Sequence, residues 1–256
     1  MSTALITGAS SGIGLTFARH LAQRSQSLVL VARNAHRLEV VAAECRALGA
    51  PTVEVLPADL ATDAGMSSVA DRLRRDDLHT LVNNAGLSIG APFVEASERA
   101  LTHQLAVNVE AVLRLTRAVL PGLTQRGAGV IINVASVAAL LPGRGSTYSA
   151  SKAWVLQFTE GLAMNLFGTG VRVQALCPGF VRTEFHDAAG IDMSRTPDWM
   201  YTSADHVVAA SLRDVGRGKV VSVPGVLYSA LAVVAKHAPR GVIRRLAAEV
   251  KSRGRD

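Results

Sequence analysis

The feature that most constrains the fold is a rhythm. Seven short runs rich in β-branched residues and leucine are separated by stretches long enough for helices: Ala4 to Thr7, Ser27 to Ala32, Thr52 to Leu56, Thr80 to Asn83, Val130 to Val134, Val171 to Leu176 and Lys219 to Val223. Each but the last is followed by a helix-length segment. Leu28-Val29-Leu30-Val31 and Val130-Ile131-Ile132 are apolar at every position rather than at alternate ones, the mark of strands covered on both faces. The expectation is therefore an α/β chain with a doubly wound, seven-stranded parallel sheet and helical crossovers. Such sheets bind ligands beyond the carboxyl ends of their strands. With 256 residues, 49% of them hydrophobic, and no Pro/Gly/Ser-rich linker, the chain is expected to form a single domain.

Charge narrows the classes of partner. The net charge is +7, yet Lys236 to Asp256 hold seven Lys/Arg against two Asp/Glu, so most of the excess sits in the last 21 residues. With aromatics at 4% and no basic stripe interleaved with rings, no nucleic-acid partner is expected. Val226 to Ala235 is apolar but falls well short of the roughly 20 residues that a membrane span needs. Beyond it, Ile243, Leu246 and Val250 recur at helical spacing among Arg244, Arg245 and Lys251. Residues 224–256 thus form a basic amphipathic extension on a unit spanning 1–223. It has two readings: a peripheral contact with an anionic membrane, or a lid or oligomer interface. Cys45 and Cys177 cannot build a disulfide framework, and the seven His are scattered, so no metal site is expected. Met1-Ser2-Thr3 leads straight into an apolar run without a basic n-region, so a cytoplasmic location, or a peripheral one at a membrane, is expected.

The first strand runs into Gly8-Ala9-Ser10-Ser11-Gly12-Ile13-Gly14 and then a helical pattern with Phe17 and Leu21. Glycines let the backbone turn sharply and approach a ligand, and the free N–H groups at the following helix start attract phosphate. The spacing Gly-x-x-x-Gly-x-Gly differs from the Gly-x-Gly-x-x-Gly dinucleotide fingerprint, and an ordinary strand-to-helix turn could look the same.

TGASSGIG (Thr7 to Gly14), NNAG (Asn83 to Gly86), Ser136, YSASK (Tyr148 to Lys152) and PGFVRT (Pro178 to Thr183) occur in this order. Together they resemble the short-chain dehydrogenase/reductase family over about residues 3 to 223. The resemblance implies a single Rossmann-type domain, a nicotinamide cofactor, and reversible hydride transfer between a carbonyl and an alcohol. It implies that Gly8, Ser10, Ser11, Gly12, Ile13 and Gly14 cradle the cofactor. Asn84, Ala85 and Gly86 would run along it, and Pro178, Gly179, Val181 and Thr183 would hold its nicotinamide end. Asp59, followed by Leu60, matches the position that contacts the adenine and reads equally well as a helix N-cap. Asn83 and Asn84 could also serve the sheet itself. Cys177 reads as buried and inert.

Tyr148 and Lys152 are four apart in a segment of helical pattern, so their side chains share one face. A cation there favours tyrosinate; bringing a free Tyr from about 10 to near 7 takes roughly 4 kcal/mol of differential stabilisation from Lys152 and a cationic nicotinamide. By the resemblance, Tyr148 is the general acid in reduction, Ser136 hydrogen-bonds the substrate oxygen, and Asn108 kinks its helix and holds a water in a relay with Lys152. These four are the catalytic candidates, and Tyr148 and Lys152 also count as cofactor contacts.

Arg33 bears on the cofactor's identity. An acidic residue at the end of the second strand suits the ribose 2′-OH of NAD, whereas an Arg suits the 2′-phosphate of NADP. Val31-Ala32-Arg33-Asn34 has no carboxylate, so NADP(H) is expected. Glu184 to Ser203 contains Phe185, Ile191, Met193, Trp199, Met200 and Tyr201, with Leu140 and Leu141 close after Ser136, which points to a small-molecule apolar carbonyl or alcohol substrate of the bulky kind, a fatty acyl or ring ketone rather than a small sugar. The alternatives are a 3-oxoacyl reductase of lipid biosynthesis and a cofactor-sensing regulator without turnover. The resemblance also implies a homodimer or homotetramer through the helices of Asn108 and Tyr148.

Overall fold

The structure, a computed structural model, describes residues 2–140, 146–185, 189–191, 193–194 and 196–237, with Ser146 and 233–237 described by backbone alone. The chain begins β1 (Thr3–Thr7), α1 (Gly12–Ala22), β2 (Ser27–Ala32), α2 (Ala35–Ala47), β3 (Val53–Pro57), α3 (Asp63–Leu73) and β4 (Leu78–Asn83). Next come α4 (Glu98–Leu105), a π-helical turn (Ala106–Glu110), α5 (Ala111–Arg126), β5 (Gly129–Val134), a 3-10 turn (Val137–Ala139) and α6 (Ser146–Asn165). It closes with β6 (Val171–Leu176), β7 (Phe180–Val181), β8 (Tyr201–Thr202), α7 (Ala204–Gly216), β9 (Val221–Ser222) and α8 (Val226–His237).

The main sheet has seven strands in the order β3-β2-β1-β4-β5-β6-β9, every pair parallel. All seven strands expected from the sequence are present, with ends shifted by at most two residues. Their unbroken apolar runs have the expected cause. Ile6, Leu28, Leu30, Val82 and Ile132 pack on one face with Phe17, Leu21, Leu38 and Val207 of α1, α2 and α7. Leu5, Val29, Val31, Leu81 and Ile131 pack on the other face with Met66, Val69, Leu115 and Val119 of α3 and α5. Successive strand residues point to opposite faces and both faces carry helices, so no position can be polar without cost.

Strand order reverses between β1 and β4, and a crevice opens there at their carboxyl ends. Two elements depart from the sequence reading. The last strand is followed by a helix after all, α8, and β7 pairs with β8 in a separate two-stranded parallel ribbon through Phe180↔Tyr201 and Val181↔Thr202. Two-residue strands leave no periodic pattern to read. Among the described residues no helix is long and apolar enough to cross a membrane. Leu141 and the tail positions Ile243, Leu246 and Val250 lie outside the described residues.

Candidate active site

A cleft of about 1830 Å³ lies over the β1/β4 switch point. It is lined by Ser136, Tyr148 and Lys152 and by every cofactor candidate except Gly14. Gly14 serves packing instead: a Cβ there would lie 2.3 Å from the Gly8 carbonyl oxygen. Gly8 and Gly12 have positive φ, +66° and +54°, which L side chains rarely adopt, so the turn needs glycine for its backbone path. The side chains of Asn34, Thr62, Ser97 and Ser203 cap α2, α3, α4 and α7, whereas Ser11 makes no side-chain cap on α1. The start of α1 has no side-chain cap, and Ser11, Gly12 and Ile13 line the cleft, so the cradle suits a phosphate-bearing cofactor.

The structure separates the two asparagines of NNAG. Asn83 is 3% exposed, and its Nδ2 donates to Asn133 Oδ1 on β5 at 2.9 Å and to Thr116 Oγ1 on α5 at 3.1 Å. Asn84 lines the cleft while its Nδ2 donates to the Thr7 carbonyl at 2.9 Å. Thr7 Oγ1 accepts the N–H groups of Asn84 and Ala85, both at 3.0 Å, and so stitches the loop after β4 to the end of β1. Asp59 also lines the cleft, but it is not a helix N-cap. Thr62 caps α3, and Asp59 Oδ1 accepts the Ala61 N–H at 3.0 Å in a local turn.

Ser136 is placed by the sheet ladder continuing past β5. Ala135 N–H donates to the Leu176 carbonyl at 2.7 Å and Val137 N–H to that of Pro178 at 3.0 Å. Ser136 Oγ accepts the Ala138 N–H at 3.1 Å and hydrogen-bonds Tyr148. Tyr148 and Lys152 sit one turn apart on α6, with Lys152 Nζ 5.8 Å from the Tyr148 ring centroid and donating to the Val134 carbonyl at 2.7 Å. A Cβ on Gly86 would lie 3.3 Å from both Lys152 Nζ and Asn108 Oδ1, so the loop leaves just enough room for that pair.

The expectation that Tyr148 sits near 7 does not hold for the chain alone. Burial pushes its phenol up to about 12, against which the Ser136 hydrogen bond pulls only partly. Burial also pushes the Lys152 ammonium down to about 8. Desolvation is the largest cause in both groups, disfavouring the charged form of each. Cys177 is fully buried with its thiol pushed up to about 12, which fits an inert residue.

Asn108 does not line the cleft; it lies in the π-helical turn, fully buried. Its Oδ1 accepts the Leu87 N–H and its Nδ2 donates to the Leu87 carbonyl, both at 2.9 Å, and to Ser151 Oγ at 3.2 Å. Ser151 Oγ in turn donates to the Tyr148 carbonyl at 2.7 Å. The helix has a π-helical turn there, and the Asn108 amide is committed to protein groups. Ser151 went unnoticed in the sequence because a helical Ser carries no signal of such a role.

At the β2 end of the cleft, Arg33 is exposed, lines the cleft and has no hydrogen-bond or ion-pair partner among the described residues. Arg37, which the sequence did not single out, also lines it and donates to both carboxylate oxygens of Glu184 at 2.9 and 2.6 Å. At the other end Phe185, Ile191, Met193, Met200 and Leu140 line the cleft, and the Phe185 ring centroid lies 5.7 Å from that of Tyr148. Trp199 is 71% exposed, and neither it nor Tyr201 reaches the cleft, which corrects the sequence reading.

Residues 2–193 match the short chain dehydrogenase family. Sulfoacetaldehyde reductase 2 of Chromohalobacter salexigens is 42% identical over 71% of this chain and 73% of its own length. A short-chain dehydrogenase from Sphingobium yanoikuyae, solved in complex with NADPH, is 36% identical, superposes with a TM-score of 0.84, and is matched over 94% of this chain and 97% of that one. A bulky-bulky ketone specific alcohol dehydrogenase from Comamonas testosteroni is 31% identical, with a TM-score of 0.80 over 100% of this chain and 95% of that one. The chain belongs to the short-chain dehydrogenase/reductase family and is a nicotinamide-dependent oxidoreductase.

Proposed function

We propose that the protein is an NADP(H)-dependent reductase of bulky apolar ketones, with Tyr148 as proton donor. The observation that carries this reading is the meeting of Ser136, Tyr148 and Lys152 in one cleft, between an uncapped helix start and an apolar wall. When bound, the nicotinamide supplies the hydride in reduction and accepts it in oxidation. The chain orients, polarises and protonates. A phenol held up to about 12 keeps its proton at neutral pH, as a donor must. Ser136 Oγ accepts the Ala138 N–H and keeps a second lone pair that can take the Tyr148 proton, which leaves its own proton to give to the substrate oxygen while the phenol is protonated. Lys152, 5.8 Å from the ring, attracts the negative charge that develops on Tyr148 as its proton leaves. Asn108 holds the loop at Leu87 and, through Ser151, the turn of α6 that carries Tyr148.

NADP is favoured over NAD by Arg33, which stands at the end of β2 without a partner, while Arg37 is already held by Glu184. The NADPH-bound Sphingobium relative supports the same assignment. Residues 1–223 make up the catalytic unit, and the extension 224–256 begins with a helix that serves the site. Leu105 and Leu113 beside the Asn108 turn, and Met164 and Phe167 at the end of α6, are large exposed apolar residues that support assembly as a homodimer or homotetramer.

The small sulfonated aldehyde in the name of the Chromohalobacter relative is the counter-case. Besides Arg33 and Arg37 by β2, the only Lys or Arg that lines the cleft among the described residues is Lys152, already bonded to Val134. Measuring kcat/KM with NADPH along ketones of increasing chain length, with sulfoacetaldehyde alongside, tests the proposal. Each added methylene should gain about fourfold until the pocket is full, from about 0.8 kcal/mol of buried apolar surface. A flat or falling series, or a preference for sulfoacetaldehyde, would overturn it.

A further inference from the structure

The segment from Phe180 to Tyr201 leaves the main sheet at the end of β6 and carries Phe185, Ile191 and Met193 into the cleft. Its two ends meet again in the β7/β8 ribbon. One atom from a distant helix joins both: the Tyr228 hydroxyl of α8 accepts the Phe180 N–H at 3.2 Å and donates to the Met200 carbonyl at 2.6 Å. Tyr228 is only 4% exposed, and a Cβ on Gly179 would lie 2.1 Å from its ring, so glycine just before β7 makes the seat for this side chain. The Phe180 ring meets the Tyr228 ring edge-on at 6.5 Å and the Tyr201 ring at 6.3 Å, packing the base of the loop as one cluster. One turn further along α8, Leu231 and Ala232 line the same cleft as Phe185 and Met193.

We infer that Tyr228 is a positioning residue for substrate: its hydroxyl closes the base of the 180–201 loop, and α8 thereby fixes the apolar wall that faces Tyr148. This rests on the reading that the loop covers the substrate. Tyr228 itself lines the cleft, but both hydrogen bonds of its hydroxyl go to loop backbone, so it acts through Phe180, Met200 and the register of α8. Its two hydrogen bonds reach the backbone, so the effect depends on the phenol oxygen rather than on the chemistry of the loop's side chains. Tyr228→Phe keeps the ring and removes both bonds.

The experiment compares the parent enzyme with Tyr228→Phe in three measurements: KM and kcat for the shortest and a bulky ketone, the Kd for NADPH by fluorescence titration, and the rate of chymotrypsin cleavage within 180–201. Loss of two neutral hydrogen bonds should raise KM for the bulky ketone by about fivefold or more, with kcat, the short ketone's KM and the NADPH Kd within about twofold. Cleavage at Phe185 or Trp199 should quicken several-fold at a temperature well below either protein's Tm. A purely structural role would lower Tm while leaving the KM split and the cleavage rate as in the parent, and that result overturns the inference. So does a KM that rises equally for both ketones, or a loss confined to NADPH affinity. If the parent turns over no ketone, the substrate reading has failed and the cleavage rate alone decides the clamp: an unchanged rate refutes it.

Discussion

Lys152 Nζ donates to the Val134 carbonyl at 2.7 Å, so the buried ammonium on α6 is held by the last residue of β5 rather than by a carboxylate. Among the described residues it has no acidic partner, and burial brings it down from 10.5 to about 8. Between those values the unfolded chain still binds a proton that the folded chain has released, so stability rises with pH across the window. Unfolding free energies of the parent and Lys152→Met from pH 7 to 10 should therefore change in the parent's favour, by up to about 3 kcal/mol. A constant difference across that range would show that Lys152 keeps its ordinary affinity for protons.

A buried polar chain ties the sheet to its helices: Asn83 to Asn133, and Asn133 Nδ2 to Thr159 Oγ1 on α6 at 3.0 Å. Asn133 is fully buried. Asn133→Ala should cost about 2–4 kcal/mol in urea unfolding, because partners on two elements are left without water. A loss below about 1 kcal/mol would mean that the neighbours re-pair.

Arg33→Ala should weaken NADPH by about 1.5–3 kcal/mol while leaving NADH nearly untouched, the size of a lost charge-assisted hydrogen bond. Titrating both cofactors into both proteins checks this. Equal affinity of the parent for the two cofactors would remove Arg33 from the phosphate site.

The parts of the fold that were legible are those whose cause lies in neighbouring residues. Val29 and Leu30 must both be apolar because helices cover both sides of β2, and that leaves an unbroken run in the sequence. Tyr148 and Lys152 share a face because four residues make about one helical turn. What was hidden depends on distant partners. Arg37 and Glu184 are 147 residues apart, and Tyr228 is a single phenol in an apolar run until Gly179 makes room for it. The Tyr148 shift was expected downward from Lys152 and a cationic nicotinamide together, whereas in the chain alone burial, invisible in the sequence, moves it upward.

The central claim is that Tyr148 gives the proton, and Tyr148→Phe tests it most directly because the ring and the cofactor cradle remain. On a ketone that the parent reduces, turnover with NADPH should fall by at least about 100-fold while the Kd for NADPH stays within about twofold. Turnover equal to the parent's, with NADPH bound as tightly, would contradict the account and place the proton donor elsewhere in the cleft.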